Sequence, residues 1–308
     1  MRVANKAGLH AADRVELDYL EHSSELLENL SGCAANGPLL WTVSDEGHTI
    51  ACLERHDSNY SLTGSIKIDH WVSEIPGEKG DELDLESLDF ASGFLWVCGA
   101  HCKVRRKPQT DELLNSEIRE RKSRRLLARI AFESDGRTPT RVDLRKVLEE
   151  DLFLSPYREL PTKENGIDIE GMAVIDDRIF VGLRGPLVGG FAVVFELYLD
   201  DRFRIASLKR HFLKLDGLAV RELARVNASL LVIAGPVGES QGPFALYRWN
   251  PEMDAAPTKV FAWGVVAEKP EGMCITSIEG KDGLLVLYDS PQARIRGATF
   301  EADWFKGI

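Results

Sequence analysis

Two acid-x-acid pairs carry the chemistry in this sequence, Asp84-Leu85-Glu86 and Asp168-Ile169-Glu170, the second running on into Gly171-Met172-Ala173. An acid followed by glycine and an apolar residue recurs at Asp216-Gly217-Leu218 and Glu271-Gly272-Met273, and Leu30-Ser31-Gly32 is a degenerate copy with serine in place of the acid. Carboxyl groups two positions apart on a strand point to the same side. Carboxylates gathered at one place raise one another's pKa unless a cation, a basic ligand or protein Lys and Arg compensates them. A ring of acids and turn carbonyls is what a hard cation such as calcium binds.

Each copy is followed by a short turn and a β-rich run: Leu39 to Val43, Phe94 to Cys98, Ile179 to Val181, Leu230 to Ile233 and Leu284 to Leu287. Anchored on Ser31, Glu86, Glu170, Asp216 and Glu271, the copies are spaced by 55, 84, 46 and 55 residues. A period of this size built from short β runs is the signature of propeller blades, four-stranded sheets that bury their faces only by packing in a ring. The reading is an all-β, single-domain β-propeller over residues 1–308 with five recognisable blades, five or six in total. The long interval holds an insertion at about 103–125, basic through Lys103, Arg105, Arg106, Lys107, Arg119, Arg121, Lys122, Arg124 and Arg125, with a helix expected near Asp111 to Arg121. It reads as a solvated surface segment or as an anion-attracting rim.

Residues 1–15 read as an arm, and Val15 to Leu20 alternates like a strand. The last blade shows three evident strands, at Glu271 to Ile278, Leu284 to Tyr288 and Ala293 to Phe300, so the N-terminal strand is expected to complete it and close the ring. A net charge of −11 argues against nucleic acid, which needs a positive footprint. No apolar run approaches the roughly 18 residues that cross a bilayer, and the N-terminus lacks the apolar region of a signal peptide. A cytoplasmic location with no membrane partner is expected. The five cysteines sit mostly in β runs, so no disulfide framework is expected.

The first strand of each blade in a propeller lines the central channel, which brings Glu86, Glu170, Asp216 and Glu271 to equivalent places near the axis. Asp45 and Glu46, His101, Arg184, Gly235-Pro236 and Asp289 follow the second strands and form a rim. One hypothesis is a metal-assisted hydrolase of a small anionic ester. In it Asp168, Glu170, Asp216, Glu271 and Glu86 hold a divalent cation, calcium in first place, Arg184 binds the anion, and Asp289 or His101 moves the proton alongside Glu170. No nucleotide cofactor is expected, because Gly235 to Ser240 lacks the Lys-Ser/Thr ending of a phosphate loop. The other hypothesis is a non-catalytic scaffold that binds a protein partner or a small ligand, its acids stapling one blade to the next.

Three stretches carry a family resemblance: Asp168 to Ala173, Val181-Gly182-Leu183-Arg184-Gly185-Pro186-Leu187, and Gly190-Phe191-Ala192-Val193-Val194. From about Leu39 onward the chain resembles the bacterial domain-of-unknown-function family 3616, which supports the propeller. It resembles the phytase-like esterase propellers more distantly, through the Asp-x-Glu-Gly element that opens a blade. That second resemblance implies a phosphoester or ester substrate, with Glu170 and Arg184 as the matched positions. Ser31 and Ser87, where the other copies have an acid and a glycine, make the ring asymmetric.

Overall fold

A computed structural model describes residues 12–20, 26–68, 75, 77, 81–106, 116–131, 140–253, 255–264, 268–289 and 291–308. Positions 1–11 of the expected arm, most of the loop at 76–80 and positions 111–115 of the expected helix lie outside them. The strands gather in antiparallel groups of four. Leu30–Asn36, Leu39–Ser44, Thr49–His56 and Asn59–Lys67 form the first blade, and Leu85–Ala91, Phe94–Gly99, Leu127–Ala131 and Thr140–Val142 the second. Asp168–Ile175, Arg178–Gly185, Ala192–Leu199 and Ile205–Leu213 form the third, and Ala219–Val226, Ser229–Gly235, Phe244–Trp249 and Thr258–Gly264 the fourth. Lys269–Ile278, Lys281–Asp289 and Thr299–Lys306 make up the last, and Asp13–Asp18 completes it. The third strand of this last blade lies later than its expected span, since Pro291–Arg294 turns as a short helix first.

The first strands of these groups contact one another in cyclic order, Leu30–Asn36 against both Leu85–Ala91 and Lys269–Ile278. Burial falls off outward, as a ring packed around an axis requires. Asp168–Ile175 is buried at every position, whereas most of Ile205–Leu213, the outermost strand of the same blade, is at least partly exposed. Apolar clusters fill the wedges between neighbours, for instance Trp41, Leu85, Leu95 and Val97 between the first two blades. Inner strands approach so closely that a Cβ on Gly171 would meet Leu223 N at 2.7 Å and Glu222 C at 2.8 Å. Glycine is needed there for space.

Closure follows the sequence expectation. Asp13–Asp18 pairs antiparallel with Thr299–Lys306, and Leu17 and Asp18 also pair in parallel with Tyr60 and Ser61 on the outer strand of the first blade. Its apolar side is buried in Val15, Leu17 and Tyr19, and the Tyr19 hydroxyl lies 2.8 Å from Thr42 Oγ1. The described part of the basic insertion is a two-stranded hairpin of Lys103–Arg105 and Ile118–Glu120, followed by a 3-10 turn at Lys122–Arg124. The C-terminal end of the helix expected over Asp111 to Arg121 is therefore strand. No helix among the described residues is long and apolar enough to cross a membrane.

Candidate functional site at the channel mouth

The start of each inner strand pairs with the end of the second strand of its blade: Leu30 with Ser44, Leu85 with Gly99, Asp168 with Gly185, Ala219 with Gly235 and Lys269 with Asp289. All five hairpins thus open on one end of the channel. Within three residues of that end every inner strand breaks register in a bulge, at Ser31, Glu86, Glu170, Arg221 and Glu271-Gly272. A bulge re-aims a side chain, and four of these residues, Glu86, Glu170, Arg221 and Glu271, line a cavity of about 800 Å³.

The fourth of these positions corrects the sequence reading. Asp216 was aligned with Glu170, but it lies in the turn ahead of its inner strand with its side chain 59% exposed. There it takes a hydrogen bond from Lys259 Nζ at 2.6 Å and one from the Tyr247 hydroxyl at 3.0 Å. Asp216 lies outside the cavity lining, and Arg221 holds the place assigned to it. With that change the intervals 170 to 221 and 221 to 271 become 51 and 50 residues. The bulge adds a residue that periodicity does not register, and Asp216-Gly217-Leu218 imitates the acid-glycine-apolar element.

Arg221 and Arg184 compensate the acids. Arg184 donates from Nε to Asp168 Oδ2 at 2.7 Å and from Nη2 to Thr162 Oγ1 at 2.5 Å, and the Thr162 hydroxyl hydrogen-bonds Asp168 Oδ2 in turn. Its Nη1 lies 2.7 Å from Glu170 Oε1 but out of hydrogen-bonding alignment, so that buried oxygen has an ion-pair neighbour and no hydrogen bond. Arg221 Nε is 3.4 Å from Glu170 Oε2, and its Nη2 pairs with Glu271 Oε1. Thr162, Asp168, Arg184, Glu170, Arg221 and Glu271 are therefore one chain of charges. Among the described residues no group of three or more His, Cys, Asp or Glu side chains is arranged to hold a metal ion.

Neutral and backbone donors add further ties between inner strands. Ser31 Oγ donates to Leu85 O at 2.5 Å and Met172 N to Ser87 Oγ at 2.9 Å, each on a neighbouring strand, and Ser87 Oγ donates to Glu222 Oε1 at 2.7 Å on the strand beyond.

Two carboxyl groups stand apart from the arginines. Glu86 is 8% exposed, lines the cavity, and has no hydrogen bond or ion pair among the described residues. Asp45, half-buried at the turn after Leu39–Ser44, has its Oδ1 buried without a hydrogen bond. Burial, then Glu170, Asp84 and Asp45, push the Glu86 carboxyl well above the usual range. Burial, then Asp84, Glu271 and Asp289, raise Asp45 to about 8. Burial raises Glu170 to about 8 against the pull of Arg184 and Arg221. It raises Asp84 to about 6 against Arg124, whose Nη1 lies 2.5 Å from Asp84 Oδ2.

Asp289 lines the cavity as expected, 3.0 Å from Lys269 Nζ. His101 is buried at 1% exposure away from the cavity lining. Its Nδ1 faces Gly99 O at 2.9 Å and its Nε2 faces Leu144 N at 3.3 Å, so Nδ1–H donates and Nε2 accepts. Burial lowers its pKa to about 4. A proton-moving role for His101 is thus replaced by a neutral ring that joins two backbone segments.

The hairpin of the insertion stands over one side of the mouth, and its charges are matched. Arg105 pairs with Glu164, with Nη2 2.7 Å from Oε2, Lys103 with Glu159 at 2.8 Å, and Arg119 with Glu117 at 2.9 Å.

A family model described as Protein of unknown function (DUF3616) matches residues 29–301. No curated protein sequence matches the chain. Among solved structures, it is similar to an exo-β-1,3-galactanase from Clostridium thermocellum at 10% identity, covering 95% of this chain and 62% of that one with a TM-score of 0.52. It is similar to the glutaminyl cyclase of Myxococcus xanthus at 11% identity, covering 97% of each chain with a TM-score of 0.49. The Cps50 (Swd1) β-propeller domain of Myceliophteria thermophila is 9% identical over 97% of this chain and 100% of that one, with a TM-score of 0.41. At these identities the likeness concerns the fold alone.

Proposed function

The chain belongs to the family described as Protein of unknown function (DUF3616), and because that description names no reaction we propose a function from the site itself. It is a small-molecule hydrolase working at the channel mouth, with the carboxyl groups of Glu86 and Asp45 as its acid–base pair. The observation that carries this reading is Glu86, a buried carboxyl that faces a cavity with no hydrogen bond or ion pair among the described residues. Buried polar groups are nearly always hydrogen-bonded, so a bound molecule supplies what the fold leaves out. Both groups line one cavity and Asp45 acts electrostatically on Glu86, and carboxyl groups that interact titrate together, which provides an acid and a base from one residue type. Glu86 gives its proton to the leaving oxygen or nitrogen as the scissile bond breaks. Asp45, as carboxylate, takes one from the attacking water. Return of that proton from Asp45 to Glu86 resets the pair, and the net change is the addition of one water.

The metal-assisted form of the same reading places a divalent cation on Asp168, Glu170, Glu271 and Glu86. The first three already face Arg184 or Arg221, which favours the form without a cation. A second reading, binding without turnover, is favoured by the same pairing, because the guanidinium groups that would stabilise developing negative charge are engaged. The test is turnover of chromogenic esters, phosphoesters and glycosides by wild type, Glu86→Gln and Asp45→Asn. Glycosides are included because a neighbour of the same fold is named a galactanase. Loss of about 10²–10⁴-fold in both variants is expected from removing a positioned acid or base. Unchanged turnover in both would reject the pair. Glu86-dependent binding with no turnover would select the second reading.

A further inference from the structure

We propose that the molecule taken at this site carries an organic ammonium group, which lodges against Glu86 on the side of the mouth formed by the first, second and last blades. The inference rests on the reading of this cavity as the ligand site and changes the expected class of ligand from anionic to cationic.

Charge around the mouth is unevenly matched. On the insertion side the arginines and lysines have their own acids, as the pairs of Arg105, Lys103 and Arg119 show. Toward the first, second and last blades Asp45, Glu46, Asp84, Glu86, Glu271 and Asp289 line the cavity, and the cations that act on them are Arg124, Arg184, Arg221 and Lys269. Arg124, Arg221 and Lys269 are in contact with Asp84, Glu271 and Asp289, and Arg184 is held by Asp168 and Glu170. Among the described residues the exposed Glu46, the buried Glu86 and the Oδ1 of Asp45 are left over. A phosphate or carboxylate brought here would meet acids in excess and guanidinium groups already occupied. An ammonium group offers three donors in different directions and needs no converging set of oxygens at metal-bond distance, a set that the described residues do not offer.

The arrival of such a group also changes the state of the pair. Burial and like charge hold both carboxyls above the ordinary range, so at neutral pH the pair is rich in protons and poor in base. A cation within about 4–6 Å favours the ionised form. Binding therefore expels a proton and creates the carboxylate that hydrolysis needs.

The experiment is a thermal-shift and calorimetric comparison of n-propylammonium, agmatine, neutral n-butanol, calcium chloride and magnesium chloride, on wild type and Glu86→Gln. Glutamine resembles the protonated carboxyl, so the variant keeps the empty-site structure, and its unchanged melting temperature without ligand verifies that. The amines are expected to raise the wild-type melting temperature by about 2–4 °C at ten times their dissociation constant. Proton release is expected from calorimetry in buffers of different ionisation enthalpy, and both effects should be lost in Glu86→Gln. Equal, Glu86-dependent shifts from butanol would overturn the ammonium assignment and leave the site reading standing. Shifts from calcium or magnesium alone would overturn it in favour of a metal site. No shift from any probe would overturn it too, and the turnover assay on Glu86→Gln then judges the hydrolase reading separately.

Discussion

Arg221 holds on its inner strand the bulge position that Glu170 holds on the strand before it, and Arg221 Nε lies 3.4 Å from Glu170 Oε2. The same side chain reaches Glu271 on the next strand, so one guanidinium stands between two buried acids contributed by its two neighbours.

Arg221→Met keeps the apolar stem and removes that charge. Removing one partner of a buried pair costs about 3–5 kcal/mol, and this variant is expected to lose that much stability at pH 7.5 in denaturant titration. Without Arg221 the pKa of Glu170 rises further, so the loss should shrink at pH 5, where protonation removes the uncompensated charge. A loss under about 1 kcal/mol, or one equal at both pH values, would show that the arginine is not what permits these acids to be buried.

Stability should also fall as the solution becomes more alkaline. Asp45, Glu170 and Asp84 have folded-state pKa values of about 8, 8 and 6, against about 4 for an unfolded carboxyl. Between those limits the folded state binds more protons, so their contribution is fully present below about pH 4 and is lost as pH rises through 6 to 8. Glu164 and Glu159, lowered by hydrogen bonds from Arg105 and Lys103, act in the opposite sense in acid. The melting temperature of wild type is expected to decline from pH 5 to pH 8.5, and that of Asp45→Asn to decline less. A flat wild-type profile would contradict the placement of these carboxyls.

The closing strand gives a third test. Leu17 is fully buried between the last blade and the first, and large-to-small substitution at such a site costs about 2–5 kcal/mol. Leu17→Ala should lower the denaturation midpoint accordingly, a large share of the roughly 5–15 kcal/mol that holds a domain together. If Leu17→Ala melted with wild type, the ring would be held by something other than this strand.

Much of this architecture is legible in the sequence because a repeated β run followed by a turn leaves a periodic trace. Asp13–Asp18 was legible as a closing strand because Val15 and Leu17 alternate with charged residues and the last blade lacked a partner. That Glu86, Glu170, Glu271 and Arg184 line one cavity is legible because the acids belong to the recurring element and Arg184 follows a second strand. Arg221 was missed because the acid-glycine signal fell five residues early, at Asp216, and nothing in composition marks a bulge. The burial of His101 was equally silent, since its partners Gly99 O and Leu144 N are backbone atoms, the second 43 residues away. That Glu86 has no hydrogen bond or ion pair among the described residues is a property of the assembled ring alone.

The bulge that recurs on each inner strand separates two kinds of evolutionary change. Blade cores are set by residues on either side of it, such as Met172, Ala173 and Leu223, whereas Ser31, Glu86, Glu170, Arg221 and Glu271 project from equivalent backbone positions at one end of the axis. Exchanges among these five sites can therefore alter the net charge and proton affinity of the mouth while each sheet keeps its packing. A combinatorial library confined to them would sample new ligand chemistries on an unchanged frame, with compensation between neighbours, as between Glu170 and Arg221, as the rule that decides which combinations fold.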